Sequence, residues 1–339
     1  MSDGFQIKPH LSPDRAVQMT RRNFLSSTVQ AAAGAGLAAG VMAGDGETGP
    51  LACAQEASRP VDQDGWIDAH VHVWTPDTAR YPLAAGFTKQ EMQPPSFRPA
   101  ELFGHCRPVG VKRITLIQMS YYGTDNSYML DMMQEHPGVF SGVAVIDEEA
   151  NPAAEMKRLA KQGVRGFRIR PGQQTPDQWL KSRGMQTMWR CGADERLAMC
   201  HLIDPPYLPT VDRMCGQFRE TPVVIDHFAR LGIDGQIRAT DLDQLCRLAR
   251  FPQVTVKVSA YYALGKKAPP YHDLGPMIQR LINEFGVERL MWASDSPFQV
   301  QGVHSYLASI DLIRSGLDFL SDSDRAWLLR KSAERVFFS

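Results

Sequence analysis

Two histidines stand two residues apart inside an apolar run at residues 68–74, which reads DAHVHVW. The β-branched neighbours predict a strand, and on a strand every second side chain points to the same face. His70 and His72 should therefore share a face, with Asp68 one step below them. Neutral imidazoles are common ligands of divalent metal ions, so this spacing indicates a metal site.

More imidazoles and carboxylates follow later apolar runs. They are His201 in the fifth run, Asp226 and His227 at the end of the sixth, and Asp295 after the eighth. The predicted ligands of one divalent ion, with zinc favoured, are His70, His72, His201 and Asp295. Such an ion would lower the pKa of a bound water towards about 7. The predicted catalytic residues are Asp295, His227 and His201, with Asp295 or His227 taking the proton of that water.

Each of these residues also has a structural interpretation. A single histidine in a strand is more often a hydrogen-bonded core residue, which is the alternative for His201. Asp226 at a strand end is typical of a turn, and Asp295 could cap the segment that follows it. The joint occurrence of these groups at several strand ends favours a site, because burying them unpaired would cost several kcal/mol.

Eight apolar runs alternate with longer stretches of helical spacing. The runs lie at 66–73, 113–119, 140–146, 164–169, 197–203, 222–227, 254–259 and 289–293, and helical examples lie at 127–135, 152–161, 211–218, 242–249 and 277–285. Strand–helix alternation implies parallel pairing through right-handed crossovers. Eight such units over roughly 270 residues predict a (β/α)8 TIM barrel, whose reactive groups gather at the carboxyl ends of the strands. The alternative is an open doubly wound sheet, but no glycine-rich phosphate loop follows the first run.

Further side chains could bind a substrate. Arg168 and Arg170 end the fourth run, Lys257 lies in the seventh, and Trp74 and Tyr121 lie in loops after the first two. A guanidinium binds a carboxylate or a developing oxyanion in bidentate fashion, and the aromatic rings could wall a pocket. The structural alternatives are salt bridges at the barrel rim for the arginines, a strand-end charge for the lysine, and packing for the aromatic residues.

The overall composition excludes several classes of protein. The 339 residues include 37 Lys or Arg and 37 Asp or Glu, and 43% are hydrophobic. This balance is typical of a globular protein and gives no support for nucleic-acid or anionic-membrane binding. The candidate site residues instead lead us to expect a small-molecule substrate. Five of the six cysteines lie in apolar segments and none forms a C-x-x-C pair, which predicts buried thiols. The sequence does not decide whether the chain forms a homo-oligomer.

The N-terminal residues differ from the rest of the chain. Arg21 and Arg22 precede a weakly apolar tract at 31–44 that is rich in Ala and Gly. Such a pattern is typical of a twin-arginine export signal. The tract is shorter than the about 20 apolar residues that span a bilayer, so we expect no integral membrane segment in the mature chain. We predict an export leader and linker at 1–60, a barrel domain at 61–339 and a periplasmic location; the alternative is a disordered basic leader.

Taken together, these motifs resemble the amidohydrolase superfamily, and within it the amidohydrolase-related branch of sugar-lactone hydrolases and 2-pyrone-4,6-dicarboxylate lactonases. The motifs that carry the resemblance are Asp68-x-His70-x-His72, the His201 run, Asp226-His227 and Ser294-Asp295-x-Pro297. The resemblance covers residues 65–339. It implies a barrel, hydrolytic chemistry and a site built from these residues.

One departure from that family concerns the number of metal ions. Binuclear members carry a carboxylated lysine on the fourth strand, where this chain has Arg168 and Arg170. The difference argues against two metals and favours a cationic contact for the substrate. Some lactonases of the branch work without a bound metal, so the resemblance leaves the metal itself open.

Three functions follow from these observations. The first is a hydrolase that opens a lactone of a sugar acid or of a small carboxylated ring by means of an activated water. The second is a metal-dependent, non-oxidative decarboxylase of an unsaturated or aromatic acid, because that branch shares the same layout of imidazoles and carboxylate. The third is a catalytically silent binding protein, against which Asp295 argues, since a binder needs no proton acceptor beside two histidines.

Overall fold

The structure is a computed structural model that describes residues 65–171 and 175–339. The predicted export leader and the predicted boundary at residue 61 lie outside the described residues. Eight strands form one parallel sheet in chain order. They are β1 (Trp66–Val71), β2 (Val111–Ile117), β3 (Phe140–Ala144), β4 (Val164–Ile169), β5 (Ala198–His201), β6 (Val223–Ile225), β7 (Val254–Val258) and β8 (Leu290–Trp292). The eight predicted strands are confirmed.

The sheet closes on itself through the residues that follow β8. The Asp295 amide donates to the carbonyl of His70 at 2.9 Å, and the His72 amide donates to the carbonyl of Ser296 at 2.9 Å. Val71 and Ser296 form a parallel bridge. Together with the alternating helices, these contacts confirm the predicted (β/α)8 barrel.

Helices connect the strands and follow β8. They are α1 (Pro99–Cys106), α2 (Ser127–Glu135), α3 (Pro152–Ala160), α4 (Pro176–Lys181), α5 (Arg183–Glu195), α6 (Leu208–Gln217), α7 (Ala239–Arg247), α8 (Gly275–Phe285), α9 (Tyr306–Arg314), α10 (Asp322–Ala326) and α11 (Ser332–Phe337), with a π-helix at Trp327–Lys331. Each of the five predicted helical stretches is found. Apolar spacing predicts them well because each helix buries one face against the sheet.

Small and apolar side chains fill the lower part of the barrel. Ala69, Ala198 and Cys200 belong to one buried cluster, to which α11 contributes Phe337. A side chain on Gly166 would lie 3.0 Å from the carbonyl oxygen of Ala198 and from the sulfur of Cys200, so β4 and β5 need glycine there to approach this closely. The polar groups therefore lie above a packed apolar floor.

The first strand departs from simple alternation. Its register with β2 shifts between Asp68 and Val71. A shift of this kind marks a β-bulge, which changes the direction in which side chains point. Asp68 does not lie beneath the histidines as predicted: its carboxylate accepts hydrogen bonds from the Tyr306 hydroxyl at 2.6 Å and from the Ser294 amide at 2.9 Å. Asp68 thus ties β1 to the chain after β8.

The cysteines of the described residues match the predicted thiols. Cys106, Cys191, Cys200, Cys215 and Cys246 are buried and free. Within 65–171 and 175–339, no helix combines the length and the apolar character that a membrane crossing requires.

Candidate active site

Three atoms that could bind a metal ion converge where the first strand meets the segment after β8. Nε2 of His70 and Nε2 of His72 lie 3.3 Å apart. Oδ1 of Asp295 lies 3.5 Å from each of these nitrogens. The side chains of all three residues are buried, with at most 5% of each residue exposed. The first strand and the segment after the eighth thus bring together the histidine pair and the carboxylate, as the sequence predicts.

The backbone around Asp295 explains how its carboxylate reaches the histidines. Asp295 has a φ of 62°, in the left-handed region. Aspartate tolerates this region better than most residues. Its amide is fixed by the carbonyl of His70, so the same contact that closes the barrel sets the position of the carboxylate.

The protonation of the cluster follows from burial and hydrogen bonding. Nδ1 of His72 lies 2.9 Å from the carbonyl of Ile117, which only accepts, so the proton is on Nδ1 and Nε2 presents its lone pair. Burial lowers the pKa of His72, and burial together with the charge of Lys257 lowers the pKa of His70 well below its usual range. Burial would raise the pKa of Asp295, but the imidazoles around it outweigh burial and hold the pKa below its usual range.

A buried ion pair lies behind His70. Nζ of Lys257 is 3.0 Å from Oδ1 of Asp226 and 3.1 Å from Nδ1 of His70. Burial opposes the ionisation of Asp226, but Lys257 and His70 outweigh it and the pKa of Asp226 is lowered well below its usual range. Lys257 is fully buried and its ammonium pairs with Asp226, so it balances charge within the site; its role in substrate binding stays a prediction.

His227 lies on the other side of the Asp295 carboxylate. Its Nε2 is 3.8 Å from Oδ2 of Asp295, and its Nδ1 is 2.8 Å from the hydroxyl of Ser259. Its ring centre lies 4.4 Å from that of His70. Burial lowers the pKa of His227 to about 4, so the ring is neutral near neutral pH. The structure therefore brings the predicted catalytic residue His227 into the site.

The structure separates His201 from the cluster. Cys200, its neighbour on β5, points into the barrel interior, so His201 points the opposite way. Its imidazole packs between Trp179 of α4 and Trp189 of α5, with ring centres 5.5 and 5.4 Å away. Among the described residues, the group that could hold a metal contains only His70, His72 and Asp295. The structure places His201 in the helix layer and not with the donor cluster, so we expect neither of its predicted roles, as a ligand or as a catalytic residue, to apply.

The two arginines of the fourth strand occupy different positions. Nη1 of Arg168 lies 3.4 Å from Nε2 of His70, so its guanidinium borders the cluster. Arg170 is exposed, and its Nη1 donates to the hydroxyl of Ser120 at 3.4 Å. Of the two arginines, Arg168 is thus the one beside the donor cluster.

Aromatic side chains flank the histidine pair. The ring centre of Phe298 lies 5.9 Å from that of His72 and 6.3 Å from that of Trp74. Tyr121 packs edge-on against Trp74 at 5.3 Å, and its hydroxyl donates to the carbonyl of Glu91 at 2.9 Å. Phe298 is thus the ring beside the site, and Trp74 and Tyr121 pack successively behind it, with the hydroxyl of Tyr121 directed at a loop.

Tyr262 is a polar neighbour of the cluster that the sequence analysis missed. It lies in a turn directly after β7, at Tyr261–Ala263, and its hydroxyl donates to Oδ2 of Asp295 at 2.7 Å. The signal was available, because residues just beyond the carboxyl end of a barrel strand face the site. A tyrosine after an apolar run is also typical of packing, and its type alone therefore did not single it out.

Comparison with known families decides the class of the protein. The model of the amidohydrolase family matches residues 67–338, which include all the residues of the cluster. The chain belongs to the amidohydrolase family. The expected resemblance is therefore confirmed, and it extends over nearly the whole barrel.

Two amidohydrolases with named activities and one solved structure are similar to this chain. The chain is 27% identical over 281 residues to the 4-sulfomuconolactone hydrolase of Hydrogenophaga intermedia, covering 80% of this chain and 88% of the relative. It is 25% identical over 242 residues to the L-fucono-1,5-lactonase of Burkholderia ambifaria, covering 68% and 80%. A solved structure of a candidate 2-pyrone-4,6-dicarboxylic acid hydrolase from Pseudomonas putida superposes with a TM-score of 0.67 at 25% identity, covering 81% of this chain and 97% of that one.

The donor atoms of this amidohydrolase fit one divalent ion. Tetrahedral coordination with bonds of about 2.0–2.2 Å places ligand atoms about 3.3–3.6 Å apart. The distances of 3.3 and 3.5 Å among the three donor atoms match this spacing. Within the described part of the chain, no hydrogen bond reaches the buried Oδ1 of Asp295. A buried carboxylate oxygen facing two imidazole nitrogens is a suitable place for a cation, and His70, His72 and Asp295 would hold it.

Proposed function

We propose that the chain is a lactone hydrolase, which opens a lactone of a sugar acid or of a small carboxylated ring. The observation that carries the proposal is the convergence of Asp295 with His70 and His72 at the carboxyl ends of the strands. The names of the relatives support the reaction type, because each of them describes the hydrolysis of a lactone or of a cyclic ester.

The chain's own groups suffice to describe the proton movements. A water beside the cluster attacks the carbonyl carbon of the lactone, and the ionised carboxylate of Asp295 accepts its proton. The bond between that carbon and the ring oxygen then breaks, and the ring oxygen takes up the proton that Asp295 accepted, which gives the hydroxy acid and leaves Asp295 ionised again. His227 is neutral, and its Nε2 lies 3.8 Å from Oδ2 of Asp295. A small shift would bring this nitrogen within hydrogen-bond distance of the carboxyl group.

Arg168 supplies a positive charge beside the cluster. The guanidinium lies beside His70 and cannot lose its proton under ordinary conditions. It would bind a ring carboxylate or the oxyanion that forms during attack. Phe298, with Trp74 and Tyr121 packed behind it, would cover the apolar face of the ring.

A divalent ion at His70, His72 and Asp295 would supply a Lewis acid that polarises the carbonyl and makes water more acidic. Zinc is our proposal for its identity, since two imidazoles and one carboxylate form a donor set that zinc prefers. Elemental analysis of the purified protein, with activity before and after chelation, tests both the metal and its need. One zinc per chain is expected.

The reaction is tested with a panel of sugar-acid lactones and carboxylated unsaturated lactones in a pH-indicator assay. Asp295→Asn should lower kcat/KM by at least about 1,000-fold, because the proton acceptor and one charge are lost together. His105→Ala is the matched control, since His105 is exposed on α1. No acid release above that of Asp295→Asn with any lactone would contradict the proposal.

We also propose that the chain is exported by the twin-arginine route. Arg21 and Arg22 lie outside the described residues, and the sequence pattern alone supports this proposal. Cell fractionation of the full chain tests it, because replacing both arginines with lysine should retain the protein in the cytoplasm. Equal periplasmic amounts of the two forms would contradict it.

A further inference from the structure

The two oxygens of the Asp295 carboxylate lie in different surroundings. Oδ1 faces Nε2 of His70 and Nε2 of His72, each at 3.5 Å. Oδ2 accepts a hydrogen bond from the hydroxyl of Tyr262 at 2.7 Å and has Nε2 of His227 at 3.8 Å. Oδ1 therefore faces the imidazole pair, and Oδ2 is held by the hydroxyl of Tyr262.

The carboxylate would not keep this orientation by itself. The terminal torsion of an aspartate is broad, so the plane of the carboxylate can turn by tens of degrees at little cost, which would move Oδ1 away from its place between the two imidazoles. A hydrogen bond to a charged group contributes about 1.5–3 kcal/mol, which exceeds the thermal energy several times. The bond from Tyr262 is thus strong enough to select one orientation.

The phenol is itself held in place. The ring of Tyr262 lies 6.1 Å from that of Phe298 and 6.2 Å from that of His304. Its turn is closed by a hydrogen bond from the Ala263 amide to the carbonyl of Ala260, and Ala260 has a left-handed φ of 58°. Tyr262 is 9% exposed, so little freedom is left to its side chain.

We propose that Tyr262 is a positioning residue for the proton acceptor of the reaction. Its hydroxyl engages Oδ2 and so keeps Oδ1 directed at the imidazole pair. The kinetic part of this inference rests on the proposed lactone hydrolysis. The orientation of the carboxylate does not rest on it.

The variant Tyr262→Phe removes the hydroxyl and keeps the ring. Loss of such an outer partner typically lowers activity by about 10–100-fold. We expect this loss in kcat, with KM changed by less than about twofold, because the phenol acts through Asp295 and not on the substrate. Tyr261→Phe is the matched control: Tyr261 is the adjacent buried tyrosine, and its hydroxyl donates to the carbonyl of Val258 at 3.2 Å.

A crystal structure of Tyr262→Phe supplies a second measurement that needs no substrate. We expect the Asp295 carboxylate to rotate, so that Oδ1 no longer lies at the same distance from both imidazoles. An unmoved carboxylate, an unchanged kcat, or an effect on KM alone would overturn the inference. A rotated carboxylate in a protein that opens no lactone would keep the positioning role and would refute the proposed reaction instead.

Discussion

The imidazole of His201 is a polar group placed in an apolar environment. The residue is fully buried, and neither ring nitrogen has a hydrogen-bond partner among the described residues. Burial lowers the pKa of His201 from 6.5 to about 3. The folded protein therefore holds this ring neutral under conditions in which the unfolded chain protonates it.

This histidine makes stability depend on pH. Its folded pKa is depressed, so its contribution is present above the unfolded value of 6.5 and is lost as the pH falls from there towards 3. Near pH 5 the loss amounts to about 2 kcal/mol. Urea unfolding at pH 8 and near pH 5 should show a smaller difference for His201→Phe than for the natural chain.

The same variant separates packing from catalysis. His201→Phe should keep its lactone-hydrolysing activity within about threefold, because the ring lies outside the donor cluster. A folded His201→Phe protein with no activity would show instead that His201 takes part in the reaction.

At the level of single residues, the sequence predicts what depends on local spacing. The pair His70 and His72 is placed correctly because two-residue spacing on a strand fixes a common face. The facing of His201 is not predictable in this way: β5 is buried on both faces, and its apolar neighbours do not distinguish the interior from the helix layer. Tyr262 was missed because a tyrosine just after an apolar run is also typical of packing, so its residue type does not single it out.

The turn that carries His227 is the most strained element near the site. His227, Phe228, Ala229 and Arg230 all have positive φ, between 52° and 58°. A left-handed conformation costs an ordinary residue about 1–2 kcal/mol. Strain of this kind persists where surrounding contacts hold it, and it is concentrated at functional sites.

Two alanine-to-glycine changes test this strain. Both Ala229 and Ala333 are buried, so each change loses one methyl group and adds freedom to the unfolded chain. Ala333 lies in the right-handed helix α11, where nothing offsets that loss. We expect Ala333→Gly to reduce the free energy of unfolding by about 1–2 kcal/mol more than Ala229→Gly does. Equal losses in denaturant titrations would show that the turn stores no strain.

At the level of elements, the hydrophobic pattern of the sequence predicts strands and helices but does not predict their irregularities. β4 occupies the predicted residues, and α2 does too, because an apolar run and an amphipathic period each bury a continuous face. The bulge in β1 and the left-handed turn after β6 arise from contacts with distant segments. Neither contains a glycine that would signal it.

Two features hold the barrel together: the seam, where its sheet closes, and the floor, which is the buried apolar cluster beneath the polar groups. The seam joins β1 to the segment after β8, and the same segment carries Asp295. The floor is formed partly by Phe337 of α11, whose ring lies 5.2 Å from Nζ of Lys257. The last helix of the chain thus supports the ion pair beneath His70.

Truncating this floor should destabilise the protein. Phe337 is 1% exposed, and replacing a core phenylalanine with alanine costs about 3–5 kcal/mol. Phe319 is 39% exposed, so Phe319→Ala should change stability by less than about 0.5 kcal/mol. Thermal melting of the two variants compares them directly. Similar melting temperatures would mean that α11 is not part of the core.

At the level of the molecule, the eight-fold alternation of elements is sufficient to predict the barrel. Parallel strands need crossovers of one hand, and few topologies satisfy this for eight units. The role of α11 is not predictable in the same way, since apolar residues near a chain end do not reveal which surface they cover. The donor cluster is predictable only in part. The sequence shows its members, but they come together only when the barrel closes.

The central claim is that Asp295, beside His70 and His72, directs water onto a lactone carbonyl. The most direct measurement is mass spectrometry of the product formed in water labelled with oxygen-18. The account predicts one labelled oxygen in the new carboxylate, with no loss of carbon dioxide, and no such product from Asp295→Asn. Release of carbon dioxide, or a labelled product that forms equally fast with Asp295→Asn, would contradict it.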